Sequence, residues 1–224
     1  MRLEENQMSK RITFQFEDDL DYQMQAIHST VELFRGLSRH VDGVYRYNRI
    51  HDVTQGNPIR NNDIVVGSRL LENLRKVQLS NDLFADNVLA EGNNFTIEME
   101  TGTGKTYVYL RTILELYQEY GFRKFMIVVP SIAIRKGVEK SMEQLADHFK
   151  RLYNIDIGKH SFIYDSNNPK QISSKLVESN DLSICVLNIQ AFNKDTNKIR
   201  KEDEYGQNLW ENQANCNYRR ATKD

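Results

Sequence analysis

The stretch "FTIEMETGTGKTYVYL", Phe95 to Leu110, carries Gly-Thr-Gly-Lys-Thr at its centre and runs on into residues with helical spacing. A polyphosphate is held by several backbone N–H groups aimed inward and by one positive end. Gly102 and Gly104 can take turn conformations that other residues resist, and they let the backbone approach a phosphate. Lys105 would reach the β- and γ-phosphates, and the Thr106 hydroxyl would sit on magnesium as the metal-binding side chain. The N-terminus of the following helix adds its dipole. Thr101 and Thr103 complete the binding turn. The general pattern G-x-x-x-x-G-K-[ST] is met except at its first position, where Met99 stands in place of glycine. The competing reading is a chance glycine-rich turn. A strand expected over 94–98 and a helix expected over 105–119 favour the phosphate loop.

Outward from the loop, the spacing predicts strands alternating with helices. In the helix over 105–119, Tyr107, Leu110, Leu114 and Tyr117 share a face. "KFMIVVP", Lys124 to Pro130, is a short apolar run closed by proline and reads as a buried strand. A long helix follows, with Val138, Met142, Leu145, Phe149 and Leu152 in register. "SFIYD" (161–165) and "LSICVLN" (182–188) read as strands, with a helix near 170–179 between them. This order implies a parallel sheet.

Toward the N-terminus, Leu20, Met24, Ile27, Val31 and Phe34 recur at helical spacing, with Gly36 as a stop. Residues 38–67 are polar and read as a long loop or insertion, and a short helix is expected around 68–78. The tail from Asn193 has no apolar period and is expected to be irregular. The fold class is therefore α/β: one incomplete P-loop domain over 93–192. A helical extension over 1–92 precedes it, and a disordered tail over 193–224 follows.

Bulk properties narrow the class. The chain has 224 residues, 39% hydrophobic and 27% charged, as in a soluble globular protein. Its formal net charge is -1, so any basic surface for nucleic acid is local. Cys185 and Cys216 form no disulfide framework or zinc spacing. His28, His40, His51, His148 and His160 show no ligand spacing to one another and read as ordinary surface side chains. No apolar stretch reaches the roughly 18 residues of a membrane span, and "MRLEENQMSK" has no signal-peptide pattern. A cytoplasmic protein with no membrane contact is expected.

"METGTGKT" resembles motif I of superfamily 2 helicases, and most closely that of the Res subunits of type III restriction enzymes. The resemblance runs from about Phe14 to Trp210 and implies a RecA-like fold. "DYQMQAI" (21–27) is similar to the family's adenine-reading motif. Gln23 offers a donor and an acceptor to an adenine edge, which suits ATP over GTP, and Phe14 or Phe16 would stack on the base. An exposed glutamine at a helix start is the plainer alternative for Gln23. "VVPSIAIRKGV" (128–138) is similar to motif Ia, which touches the phosphates of a DNA strand. Ser131 and nearby backbone N–H groups could donate there and Arg135 adds charge, unless this is an ordinary strand-to-helix turn. "LNIQAFNKD" (187–195) resembles motif Ib, with Gln190 and Asn193 as polar candidates. The resemblance implies ATP and Mg2+ as cofactors. It implies double-stranded DNA and a type III modification methyltransferase (Mod) subunit as partners.

Motif II of the family is an apolar strand followed by Asp-Glu-Pro-Gln, the carboxylates that hold magnesium and orient water. No such element occurs here. Asp203-Glu204 follows "NKIRKE", which cannot be a buried strand, and Asp165 lacks the glutamate. The ending "NQANCNYRRATKD" is compatible with a frameshift near Asn212. Synonymous codons for Gln213 onward, read one base later, give Lys-Pro-Ile-Val-Ile-Ile-Asp-Glu-Pro-Gln-Lys. Residues 213–224 are thus expected to be out of frame. The leading expectation is an ATP- and DNA-binding N-terminal part of a Res subunit, not catalytic by itself. The rivals are a short nucleotide-binding regulatory module and a different P-loop NTPase such as a nucleotide kinase. A kinase should show a lid with clustered arginines, and none is visible.

Overall fold

The computed structural model describes residues 17, 19–37, 39–41, 44–46, 68–86, 88–89, 93–165, 172–179 and 181–191. Phe14, Phe16, Asn193, the acidic pair 203–204 and the whole tail with its out-of-frame reading lie outside the described residues.

Helix α1 (Asp21–Glu32) opens the described part and ends in a turn at Gly36, whose φ is +67°. It buries Ile27 and Val31, two of the residues whose spacing predicts it. A backbone hairpin of β1 (Arg39–Val41) and β2 (Val44–Arg46) follows, paired antiparallel. Sequence spacing puts a loop there; strands of three residues are too short to leave a readable alternation. Helix α2 (Ser68–Ser80) is met as expected. It docks by Leu70 against Leu33 and Leu37, and Asn73 Nδ2 donates to the Leu33 and Arg35 carbonyls at 2.9 and 2.8 Å.

Helix α3 (Lys105–Tyr120), strand β3 (Lys124–Val129) and helix α4 (Ile132–Tyr153) form the next unit. Ser131 caps α4, its Oγ accepting from the Ile134 N–H at 3.3 Å. Val138, Met142, Leu145 and Phe149 are buried as their spacing requires. Leu152 corrects that expectation: it is exposed, and Tyr153 takes the buried place. The two differ by one helical step. Tyr153 is drawn inward because its hydroxyl meets Arg111 and Glu115 on α3.

A one-turn helix α5 (Ile157–His160) leads into β4 (Ser161–Ile163), and a π-helical segment (Ile172–Glu178) leads into β5 (Ser183–Asn188). The segment stands where a helix over 170–179 is expected. The sheet order is β3-β5-β4, all parallel, with Met126 and Phe162 both in register with Cys185. The central strand β5 is buried on both faces. Ile184 and Val186 pack with α3 and α4, while Cys185 and Leu187 pack with Phe162, Tyr164, Ile172 and Leu176. Both-face burial is why its sequence is an unbroken apolar run. Burial also pushes the Cys185 thiol up to about 12, consistent with an inert core cysteine.

One expected strand is not formed. Residues 94–100 make no strand, although Phe95, Ile97 and Met99 alternate as one. A strand exists only through hydrogen bonds to a neighbour, and among the described residues β3 pairs on one side alone, with β5. The segment is held by side chains instead. Phe95 packs beside Leu33, Leu37 and Leu70, and Met99 packs beside Ile27, Val31, Val108 and Leu116.

Phe149 is 0% exposed at the centre of the α3–α4–β5 core, stacked on Tyr107 at 5.6 Å between centroids. Phe149→Ala is expected to lower the unfolding free energy by about 3–5 kcal/mol, read from urea denaturation with an unchanged slope.

Candidate nucleotide-binding site

The turn from Glu100 to Gly104 joins the extended segment to α3, and its shape rests on two glycines. Gly102 has φ +84° and Gly104 has φ +80°, both in the region that penalises a side chain. Gly104 is also the N-cap of α3, with its carbonyl accepting from the Val108 N–H at 3.1 Å. The amides of the first helical turn, Lys105 to Tyr107, have no acceptor within a helix and point out of its N-terminus. No acidic residue occupies that turn. Positive potential from the helix end is therefore uncancelled there.

Two further contacts close the turn on itself. The Lys105 ammonium donates to the Glu100 carbonyl at 2.6 Å, and the Thr103 hydroxyl donates to the same carbonyl at 2.7 Å. Thr101, Gly102, Gly104 and Lys105 are exposed, and Thr103 and Thr106 are half-buried. The loop thus presents its glycine backbone and its lysine to solvent. Thr106 lies beside Tyr109, one helical turn on: burial pushes the Tyr109 phenol up, and a hydrogen bond with the Thr106 side chain opposes this.

Gln23 is 7% exposed, not the exposed helix-start glutamine of the plainer alternative. Its Nε2 donates to the Thr103 carbonyl at 2.9 Å across 80 residues of chain. A Cβ on Gly104 would come within 2.6 Å of that nitrogen, so the amide approaches the loop closely where glycine leaves room.

The candidates near the sheet end are also brought together. Ser131 and Gln190 follow β3 and β5, which are neighbours, and Gln190 Nε2 donates to the Pro130 carbonyl at 3.2 Å. Arg135 sits one turn into α4, half-buried, with no ion pair among the described residues. Ser131 spends its acceptor on the helix cap, and its hydroxyl proton stays available to donate.

Sequence reading does not find the polar ladder between α3 and α4, and it puts His148 on the surface; His148 is in fact buried within the ladder, where Tyr107 pairs with its ring. Tyr107 Oη and His148 Nε2 are 3.1 Å apart, and Arg111 Nη1 donates to Tyr107 Oη at 3.0 Å. Arg111 Nε donates to Tyr153 Oη at 2.8 Å, and that hydroxyl donates to Glu115 Oε1 at 2.6 Å. Burial first, and then the Glu115 carboxylate, push the Tyr153 phenol up. The available signal was the four-residue spacing of Tyr107, Arg111 and Glu115 along one helix stripe. The ladder starts one residue after Thr106, so it ties the loop's own helix to α4.

A triphosphate fits this donor set of helix-end amides, glycine backbone and one lysine. The Thr106 hydroxyl is the side chain of the loop that could hold a magnesium ion. Among the described residues no group of three or more His, Cys, Asp or Glu side chains could hold a metal ion.

A parallel α/β sheet with this turn opening a helix defines a partial RecA-like P-loop domain. The family model for the type III restriction enzyme, res subunit, matches residues 18–210. The chain belongs to that family. It is 30% identical over 155 residues to the Res subunit of the type III restriction-modification enzyme EcoP15I of Escherichia coli, covering 64% of this chain and 16% of the relative. It is 28% identical over 177 residues to the EcoPI Res subunit of Escherichia phage P1, covering 77% and 17%. The StyLTI Res subunit of Salmonella typhimurium is 34% identical over 131 residues, covering 52% and 13%. The chain spans about a sixth of the length of these curated relatives, from 13% to 17%. No described helix is long and apolar enough to cross a membrane.

Gly102 and Gly104 share a backbone conformation and differ in surroundings: a Cβ on Gly102 meets nothing within 4 Å, whereas one on Gly104 meets Gln23. Both alanine variants should lose the backbone term of about 1–2 kcal/mol. Gly104→Ala should lose about 1 kcal/mol more, the net worth of the Gln23–Thr103 hydrogen bond. Parallel urea titrations check the order.

Proposed function

We propose that this chain is the ATP-binding end of a type III Res subunit, holding ATP with Mg2+ at Gly102–Thr106. The observation that carries the reading is the pair of left-handed glycines that opens a 16-residue helix with Lys105 at its first position. Backbone amides there meet the β-phosphate, and Lys105 exchanges the Glu100 carbonyl for the phosphate charge. Thr106 supplies one ligand to magnesium. Thr101 and Thr103 line the turn. The Gln23 Oε1, which makes no hydrogen bond among the described residues, accepts from the adenine amino group.

Double-stranded DNA is the proposed second ligand, along Ser131, Arg135 and Gln190 at the ends of β3 and β5. Support comes from the neighbouring placement of Ser131 and Gln190 and from a 22-residue helix start with no acid in its first turn. In the intact enzyme this end works with a Mod subunit and drives ATP-dependent movement on DNA before cleavage. Residues 1–224 are proposed to bind ATP without turnover, since hydrolysis calls on an apolar strand followed by Asp-Glu and this stretch does not supply one.

Thermal melting and calorimetry test the reading. MgATP should raise the melting temperature, and Lys105→Ala should weaken binding at least about tenfold, the equivalent of roughly 1.4 kcal/mol. Phosphate release should stay at background for wild type and variant alike. A melting temperature indifferent to MgATP removes the binding proposal; Lys105-dependent turnover removes the claim of inactivity.

A further inference from the structure

We infer that Gln23 is a positioning residue for the phosphate loop, so that it governs the grip on any polyphosphate and not only on adenine. The inference rests on the proposed nucleotide site and assigns Gln23 a second task within it. The carboxamide has two ends. Nε2 donates to the Thr103 carbonyl at 2.9 Å, and only a donor can face a carbonyl, so the orientation of the amide is settled by chemistry.

Holding that carbonyl has a consequence for the next amide. The described chain has no cis peptide bond, so the Thr103 C=O and the Gly104 N–H point in opposite directions from one rigid plane. Drawing the carbonyl toward α1 turns the Gly104 N–H away from α1, and Gly104 itself is exposed. That N–H is one of the donors a phosphate needs. Without the clamp the plane is free to rotate, because glycine resists neither rotation nor the mirror conformations. Close packing of Gly104 on the Gln23 nitrogen blocks the same rotation sterically.

The clamp is firmly anchored. Gln23 lies one turn before Ile27, which is 0% exposed, and α1 is fixed to α3 by Ile27 and Val31 against Val108 and Leu116. The loop is therefore held at both ends of one packed pair of helices, at Gly104 directly and through α1 at Thr103.

The test compares tripolyphosphate, which has no base, with ATP, both with Mg2+, by calorimetry on the full chain. Gln23→Met keeps size and loses the donor; Gln23→Glu keeps the acceptor and loses the donor. Both should weaken tripolyphosphate by about five- to tenfold, the equivalent of roughly 1 kcal/mol, and ATP at least as much. Gln23→Asn, which keeps the amide but falls one methylene short of the Thr103 carbonyl, should weaken tripolyphosphate as well and covers the case in which the Met or Glu variant does not fold. Tripolyphosphate binding unchanged in folded Gln23 variants, with ATP alone weakened, overturns the inference and leaves the nucleotide site standing. Wild-type protein that binds neither ligand overturns the nucleotide site itself.

Discussion

Helix α3 is buried along two sides at once. Val108 and Leu116 meet Ile27 and Val31 of α1 on one side. Leu110, Ile113 and Leu114 meet α4 and β5 on the other. Each fully buried aliphatic side chain contributes about 1.5–3 kcal/mol, so five of them outweigh any single hydrogen bond in the loop. The helix cannot slide or rotate without exposing one stripe or the other. Its N-terminus is fixed in consequence, and the glycine turn must close the remaining distance to Met99, itself packed against α1 and α3. Left-handed backbone at Gly102 and Gly104 follows from that closure.

The same packing carries position from the loop to the sheet end. The ladder from His148 through Tyr107 and Arg111 to Tyr153 and Glu115 joins the α3 stripe to α4. Helix α4 begins at Ser131, beside Gln190 at the end of β5. Glycine turn and sheet end thus belong to one packed body. Strand β3 is its less covered border: Val128 is 37% exposed although the strand is apolar after Lys124, and only β5 pairs with it among the described residues. An apolar strand open at one edge is a template for further pairing.

Elements whose burial is decided locally were legible in the sequence. Helix α3, strand β5 and the core of α4 follow from periodicity and apolar runs, because each buries a stripe or both faces; β3 follows as a strand from its apolar run but not as a buried one, since only Val129 is buried and β5 alone pairs with it among the described residues. Elements decided by a distant partner were not. Residues 94–98 alternate as a strand does, yet pairing depends on a neighbour that alternation does not reveal. Leu152 and Tyr153 differ by one helical step, and a hydroxyl contact on another helix decides between them. The glycine turn that opens α3 was readable from the residue types at 102–106, since left-handed backbone favours glycine at 102 and 104. That Gln23 lies against it was not, since the contact joins residues 80 apart in the chain.

Amide hydrogen exchange across Glu100–Tyr107, with and without MgATP, tests the central claim most directly. Exchange at Gly102 to Tyr107 should slow when nucleotide occupies the turn, since those amides then donate to phosphate, while the buried strand β5 stays unchanged. Unaltered exchange through this turn under MgATP, or slowing confined to other segments, would contradict the account.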